Sequence, residues 1–174
     1  MRYPIVALSV ALLYAHPALA LYDDKPAAEL SAAAGEWRGT LTYEDYQEPG
    51  KLVTLPTQVF VALGAPDELV LQYVYDDGPG KTVYSYERMR FDLARKKVRW
   101  ASGAKKKSES TYQITANTEE AGLRRIVFER RVKSGSERFT LELGAKAFTL
   151  KKEELSKAEP PKVRNTYALQ RVGA

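Results

Sequence analysis

The sequence predicts an all-β fold: an antiparallel up-and-down meander barrel of about 8–10 strands with a short N-terminal helix. Two observations carry this. Runs with apolar–polar alternation recur at spacings of roughly 8–12 residues, separated by Gly, Pro, Asp and Asn clusters. No connection between them is long enough for the crossover that parallel pairing needs, so neighbours in the chain pair antiparallel. Joining the first strand to the last removes both exposed edges of such a sheet.

The elements follow in order. Asp23 to Gly35 reads as the helix: Asp24 is placed to cap it, Pro26 suits an early helical position, Ala27 to Ala34 favour helix, and Gly35 ends it. Trp37, Gly39, Leu41 and Tyr43 then alternate with Arg38, Thr40, Thr42 and Glu44 as a first strand. Pro49-Gly50 turns the chain into Leu52–Leu63, and Ala65-Pro66-Asp67 turns it into Leu69–Tyr75. The turn cluster Asp76-Asp77-Gly78-Pro79-Gly80 leads into Thr82–Leu93. Lys97–Ala101, Ser108–Asn117, Leu123–Lys133, Glu137–Leu143, Lys146–Lys151 and Val163–Val172 complete the strands, with Gly103, Gly122, Ser134-Gly135 and Gly144 between them. Lys152–Ala158 reads as a last helical turn, and Pro160-Pro161 as a rigid spacer.

The first twenty residues stand apart. Met1-Arg2, the apolar run Ile5–Leu13 and the small-x-small Ala18-Leu19-Ala20 make a secretory signal peptide over residues 1–20, cut after Ala20. The run is shorter than the about 20 apolar residues a spanning helix needs. Residues 21–174 then form a single β-barrel domain, exported to the periplasm or beyond the cell and not transmembrane. A lipid-facing barrel would need a continuous apolar outer band, whereas Arg124, Arg125, Arg130 and Arg131 crowd both faces of one strand. The leader carries His16, the only histidine, and the chain has no cysteine. The exported chain therefore offers no imidazole shuttle, thiol nucleophile or disulfide, and no zinc-type ligand set; no cofactor and no metal are expected.

Charge is split along the chain. Residues 21–94 hold 6 Lys and Arg against 13 Asp and Glu, and residues 95–174 hold 20 against 9. In a meander these segments build opposite sides, so the basic residues Lys105, Lys106, Lys107, Arg124, Arg125, Arg130, Arg131 and Lys133 are read as a face for an anionic envelope surface or an acidic partner. Arg95-Lys96-Lys97 and Arg99, with Trp100 and Tyr112 close by, also suit single-stranded nucleic acid, but export argues against that partner. Lysine-rich hairpin tips also keep β-proteins from pairing edge to edge.

Gly35-Glu36-Trp37, opening the first strand after a short helical segment, resembles the G-x-W start of the lipocalins and related calycin barrels. The resemblance implies a barrel with Trp37 plugging one end and Arg171 of the last strand packed across it, Arg171 sharing a face with Tyr167 and Leu169. It also implies a ligand in the interior. The lipocalin T-D-Y turn and disulfide cysteines are absent, as is the R-x-Y pair of the fatty-acid-binding branch, so no particular ligand carries over.

Candidate ligand-binding residues are the tyrosines Tyr43, Tyr46, Tyr73, Tyr75, Tyr84, Tyr86 and Tyr167, which combine apolar area with a hydroxyl. Tyr73 and Tyr75 share a face, and so do Tyr84 and Tyr86; a one-residue shift across the intervening turn sends one pair outside. Tyrosine is equally a good strand former. Asp76-Asp77 serves a turn rather than a calcium loop, lacking the alternating ligands and distal glutamate of an EF-hand. Glu44, Asp45, Glu48 and Glu87 are the acids available to a carboxylate hydrolase, and no spacing selects a pair. No catalytic motif is present, so no enzyme is expected. Three functions stay open: a barrel binding a small apolar or amphipathic, lipid-like ligand in its interior; a protein-interaction or inhibitor module using the charged exterior; and a carboxylate-dependent hydrolase.

Overall fold

The computed structural model describes residues 28–103 and 108–173. The leader and its cleavage point, the helix-capping positions Asp24 and Pro26, and Lys105, Lys106 and Lys107 lie outside the described residues.

Ten strands close into one antiparallel barrel. They are β1 (Gly35–Glu44), β2 (Leu52–Ala65), β3 (Glu68–Asp76), β4 (Thr82–Asp92), β5 (Lys97–Ser102), β6 (Ser108–Glu120), β7 (Leu123–Val132), β8 (Gly135–Leu143), β9 (Ala147–Leu155) and β10 (Lys162–Arg171). Each pairs with its sequence neighbours, and β1 closes the ring on β10 with Trp37 opposite Arg171 and Gly39 opposite Leu169. One helical turn, α1 (Ala28–Ser31), precedes β1. The helical turn expected over Lys152–Ala158 is instead strand as far as Leu155, because Lys152 pairs with both Phe139 and Asn165 in the sheet.

Strand alternation divides the interior into two halves. Toward the start of β1, the inward side chains are large and apolar: Trp37, Val59, Leu71, Met89, Phe91, Ile126, Leu141, Phe148 and Leu169 are buried, and Leu30 and Ala33 of the α1 region cap them. At about 1.5–3 kcal/mol for each large apolar side chain buried, this half supplies most of the packing energy. Toward the end of β1, the same inward rows turn polar. Ser85, Glu87, Trp100, Ser110, Arg130, Glu137, Lys152, Asn165 and Tyr167 follow the register inward yet stay partly exposed. One end of the barrel is thus a packed core and the other an open cup.

Two local features fix the strand faces. Ala121 and Gly122 both adopt positive φ (49° and 76°), forming the two-residue β6–β7 connection whose twist suits a hairpin. A bulge between Val163 and Asn165 lets Arg164 reach Glu44 while Asn165 remains opposite Lys152.

Candidate ligand-binding site

The closed end explains the opening G-x-W. Trp37 is fully buried, and its Nε1–H donates to Ala33 O at 2.8 Å. The Arg171 guanidinium lies over the indole with its carbon 4.2 Å from the ring centroid, and donates to the carbonyls of Ala34 and Ala145 at 2.7 and 2.8 Å and to that of Ala32. Gly35 has φ +139°, and a Cβ there would stand 2.5 Å from an Arg171 nitrogen, so only glycine fits beneath the guanidinium.

The open end holds a pocket of about 320 Å³ lined by Leu41, Tyr43, Tyr46, Leu55, Tyr75, Asp77, Val83, Asn165 and Tyr167. The Tyr75 and Tyr167 hydroxyls are hydrogen-bonded at 2.9 Å, although β3 and β10 are separated by β1 and β2. Tyr73 lies deeper, with its ring stacked 5.9 Å from Tyr75 and tilted 5.0 Å from Tyr167. The Tyr73 hydroxyl is wholly buried and has no hydrogen-bond partner among the described residues. Burial pushes all three phenols above their ordinary value, that of Tyr75 to about 12. They are therefore neutral hydroxyls across the physiological range.

Glu87 enters the same interior from β4. Its carboxylate accepts the Trp100 indole N–H at 2.8 Å, and burial raises it from 4.5 to about 7 against the lowering effect of that bond. Its charge adds to the upward shifts of Tyr73, Tyr75, Tyr112 and Tyr167, in each of which burial is the larger cause. The facing wall is ion-paired. Arg130 donates to Glu137 and Ser110, and Lys152 reaches the other Glu137 oxygen at 2.8 Å. These cations also lie over aromatic rings, Arg130 5.1 Å from Tyr112 and Lys152 5.7 Å from Phe139.

The tyrosines named from sequence separate cleanly. Tyr43, Tyr46, Tyr75 and Tyr167 line the pocket and Tyr73 lies beneath it. Tyr84 and Tyr86 are corrections: the Asp76–Thr82 pairing sets Tyr75 opposite Val83 and Tyr73 opposite Ser85, which turns Tyr84 and Tyr86 to the outer face, where Tyr84 is 68% exposed.

The basic face also needs correction. Arg130 shares the inward face of Ile126 and Phe128 and belongs to the cup. Arg124 bonds Asn117 and Glu119 with its side chain largely covered, and Arg125 is bridged to Glu142. Arg131 and Lys133 stand exposed on the outward row that Arg125 shares, while Arg124 and Arg130 alternate with them on the other face, so the set does not form one surface.

The remaining acids serve structure. Glu44 is buried against Lys162, Arg164 and the Gly50 amide, which hold its carboxyl below the usual range. Asp45 and Glu48 tie the β1–β2 loop through Gln47 and Lys51. Asp76 accepts the Gly78 amide and Asp77 bridges Lys81, both inside the turn. Among the described residues, no group of three or more His, Cys, Asp or Glu side chains could hold a metal ion. Sequence reasoning missed Trp100, Tyr112, Glu137, Lys152 and Asn165 as cup residues. The strand alternation running Met89, Phe91 back to Glu87, and Ile126, Phe128 on to Arg130, would have found the inward face of β4 and β7.

No family model matches the chain, and no curated protein matches it. In fold it is similar to Rv2717c from M. tuberculosis, whose crystal structure aligns with a TM-score of 0.57 at 10% sequence identity over 83% of this chain and 98% of that one. At that identity the likeness is one of architecture, and it agrees with the strand order: the chain forms a closed ten-stranded antiparallel β-barrel.

Proposed function

We propose that this barrel is an exported binding protein for a small apolar or amphipathic molecule held in the cup at its open end. One observation carries the reading: a pocket of about 320 Å³ opens between apolar walls and tyrosine hydroxyls, above a core that is otherwise packed. Ligand sites typically occupy about 300–1,000 Å³ and combine an apolar lining with a few placed polar groups. A volume at the low end of that range suits a small ring system or short chain rather than a long acyl chain. Leu41, Leu55 and Val83 supply apolar contact, and Tyr43, Tyr75, Asn165 and Tyr167 supply donors and acceptors.

Exposed apolar side chains surround the entrance: Tyr46, Leu52, Val83, Tyr84 and Val163 all belong to loops or strand ends at this mouth. They favour a second reading in which another protein docks on the rim, and the two roles are compatible. Native mass spectrometry of the protein isolated from its own cells tests the first. A small-molecule adduct lost on denaturation is expected. The bare polypeptide mass, together with no uptake of a neutral fluorescent probe such as N-phenyl-1-naphthylamine, would overturn it.

A further inference from the structure

We propose that the polar end of the ligand is a cationic amine, received by the Glu87 carboxylate inside a box of Tyr73, Tyr75, Tyr112, Tyr167 and Trp100. The inference rests on the ligand-binding reading above and names the chemistry of its occupant.

The ionisable groups of the cup differ in what they already hold. Glu137 is met by two cations, Arg130 and Lys152, and each of those has Glu137 as its carboxylate. Among the described residues Glu87 has a single hydrogen bond, from the uncharged Trp100 indole, and no ion partner. Close to it the Tyr73 hydroxyl is fully buried and unpaired. A buried hydroxyl normally finds a partner, so Tyr73 and the free side of Glu87 mark where a polar group is to be received. The aromatic surroundings set its sign. Ring faces attract cations, and a carboxylate within an aromatic box is the usual way to recognise an ammonium. An anion would meet the Glu87 charge instead.

Geometry links this box to the pocket. Tyr75 and Tyr167 line the pocket, and the ring of Tyr73 lies 5.9 Å from Tyr75 and 5.0 Å from Tyr167, while Tyr73 stands opposite Ser85, two residues before Glu87 on the same inward row of β4. On this proposal a ligand with its apolar body between Leu41, Leu55 and Val83 extends its ammonium inward, parting the Tyr75–Tyr167 hydrogen bond, to reach Glu87 beyond the pocket lining. The groups that share this interior with Glu87 are Trp100 on β5, which bonds it, Tyr112 on β6, whose ring lies 6.0 Å from that of Trp100, Tyr73 and Tyr75 on β3, Tyr167 on β10, and the Arg130–Glu137–Lys152 set on β7, β8 and β9. Burial raises the Glu87 carboxyl to about 7, so amine affinity should rise with pH as it ionises.

Isothermal titration with three matched probes tests this: 4-phenylbutylamine, 4-phenylbutan-1-ol and 4-phenylbutyrate. At pH 8 the amine is expected to bind about tenfold more tightly than the alcohol, and the carboxylate more weakly than either. Between pH 6 and pH 8 amine affinity is expected to rise about tenfold while alcohol affinity stays level. Glu87→Gln keeps an acceptor for Trp100, so it should erase the amine preference and the pH dependence and leave alcohol binding in place. Tyr73→Phe, which removes an unpaired hydroxyl and leaves packing intact, should weaken the amine severalfold and serves if Glu87→Gln does not fold. Alcohol bound as tightly as amine, or carboxylate bound more tightly, overturns the amine inference and leaves the pocket reading standing. No binding by any of the three overturns both.

Discussion

Arg171 covers Trp37 with its guanidinium carbon 4.2 Å from the ring centroid, so the first and last strands are joined by a side-chain stack as well as by backbone pairing. The two residues are also direct register partners across the β1–β10 closure. Trp37→Ala removes the largest fully buried ring and is expected to cost about 3–5 kcal/mol in urea unfolding. Arg171→Lys keeps the charge but loses the planar fork over the indole and its carbonyl contacts, at an expected cost of about 1–2 kcal/mol. Near-wild-type midpoints for both would show that closure does not depend on this stack.

The β6–β7 hairpin carries a correctable strain. Ala121 adopts φ 49°, a left-handed conformation in which its Cβ crowds the backbone. Its Cα carries no special packing role, and the residue is exposed. Ala121→Asn, giving the Asn-Gly pair such turns prefer, is expected to stabilise the barrel by about 0.5–1 kcal/mol in thermal or urea unfolding. A loss of stability would contradict the turn geometry.

Glu87 makes stability fall with rising pH. Its folded value, about 7, lies above the ordinary 4.5, so the folded state holds a proton that the unfolded state has released. The contribution is fully present below about 4.5 and is lost as pH rises through 7, on the order of 3 kcal/mol in all. Glu44, Asp92 and Glu137 act oppositely and lower down: held below their usual values, they contribute above them and lose that contribution as pH falls further. Unfolding free energy measured from pH 5 to pH 8 should therefore decline in the wild type and flatten in Glu87→Gln. An unchanged slope in the variant would refute the assignment.

Much of the fold was legible in the sequence because antiparallel hairpins write their limits in turn residues and their faces in alternation. Asp76–Gly80 between Tyr75 and Thr82 is such a limit, and Trp37, Gly39, Leu41 and Tyr43 such a face. The site was legible only in part. Alternation groups residues by face, but which face is inward follows from the apolar members, and at the cup those members give way to charge. Arg130 reads as surface from its own chemistry, and only Ile126 and Phe128 on the same row show that it points inward, where Glu137 compensates it. Tyr84 and Tyr86 misled for the converse reason. They are apolar enough for a lining, yet Arg88 and Arg90 continue their row on the outside. The Lys152–Ala158 reading failed because charged residues with good helix propensity were completing a strand paired on both sides.

The most direct test of the half-packed, half-open barrel is a two-dimensional amide NMR titration with 4-phenylbutan-1-ol, a neutral probe indifferent to the charge of the cup. The account predicts saturable shifts concentrated at Leu41, Tyr43, Leu55, Tyr75, Val83, Asn165 and Tyr167, with Met89, Phe91, Phe148 and Leu169 in the packed half little changed. Shifts confined to the outer face around Tyr84, Tyr86, Arg88 and Arg90, or none at millimolar probe, would contradict it.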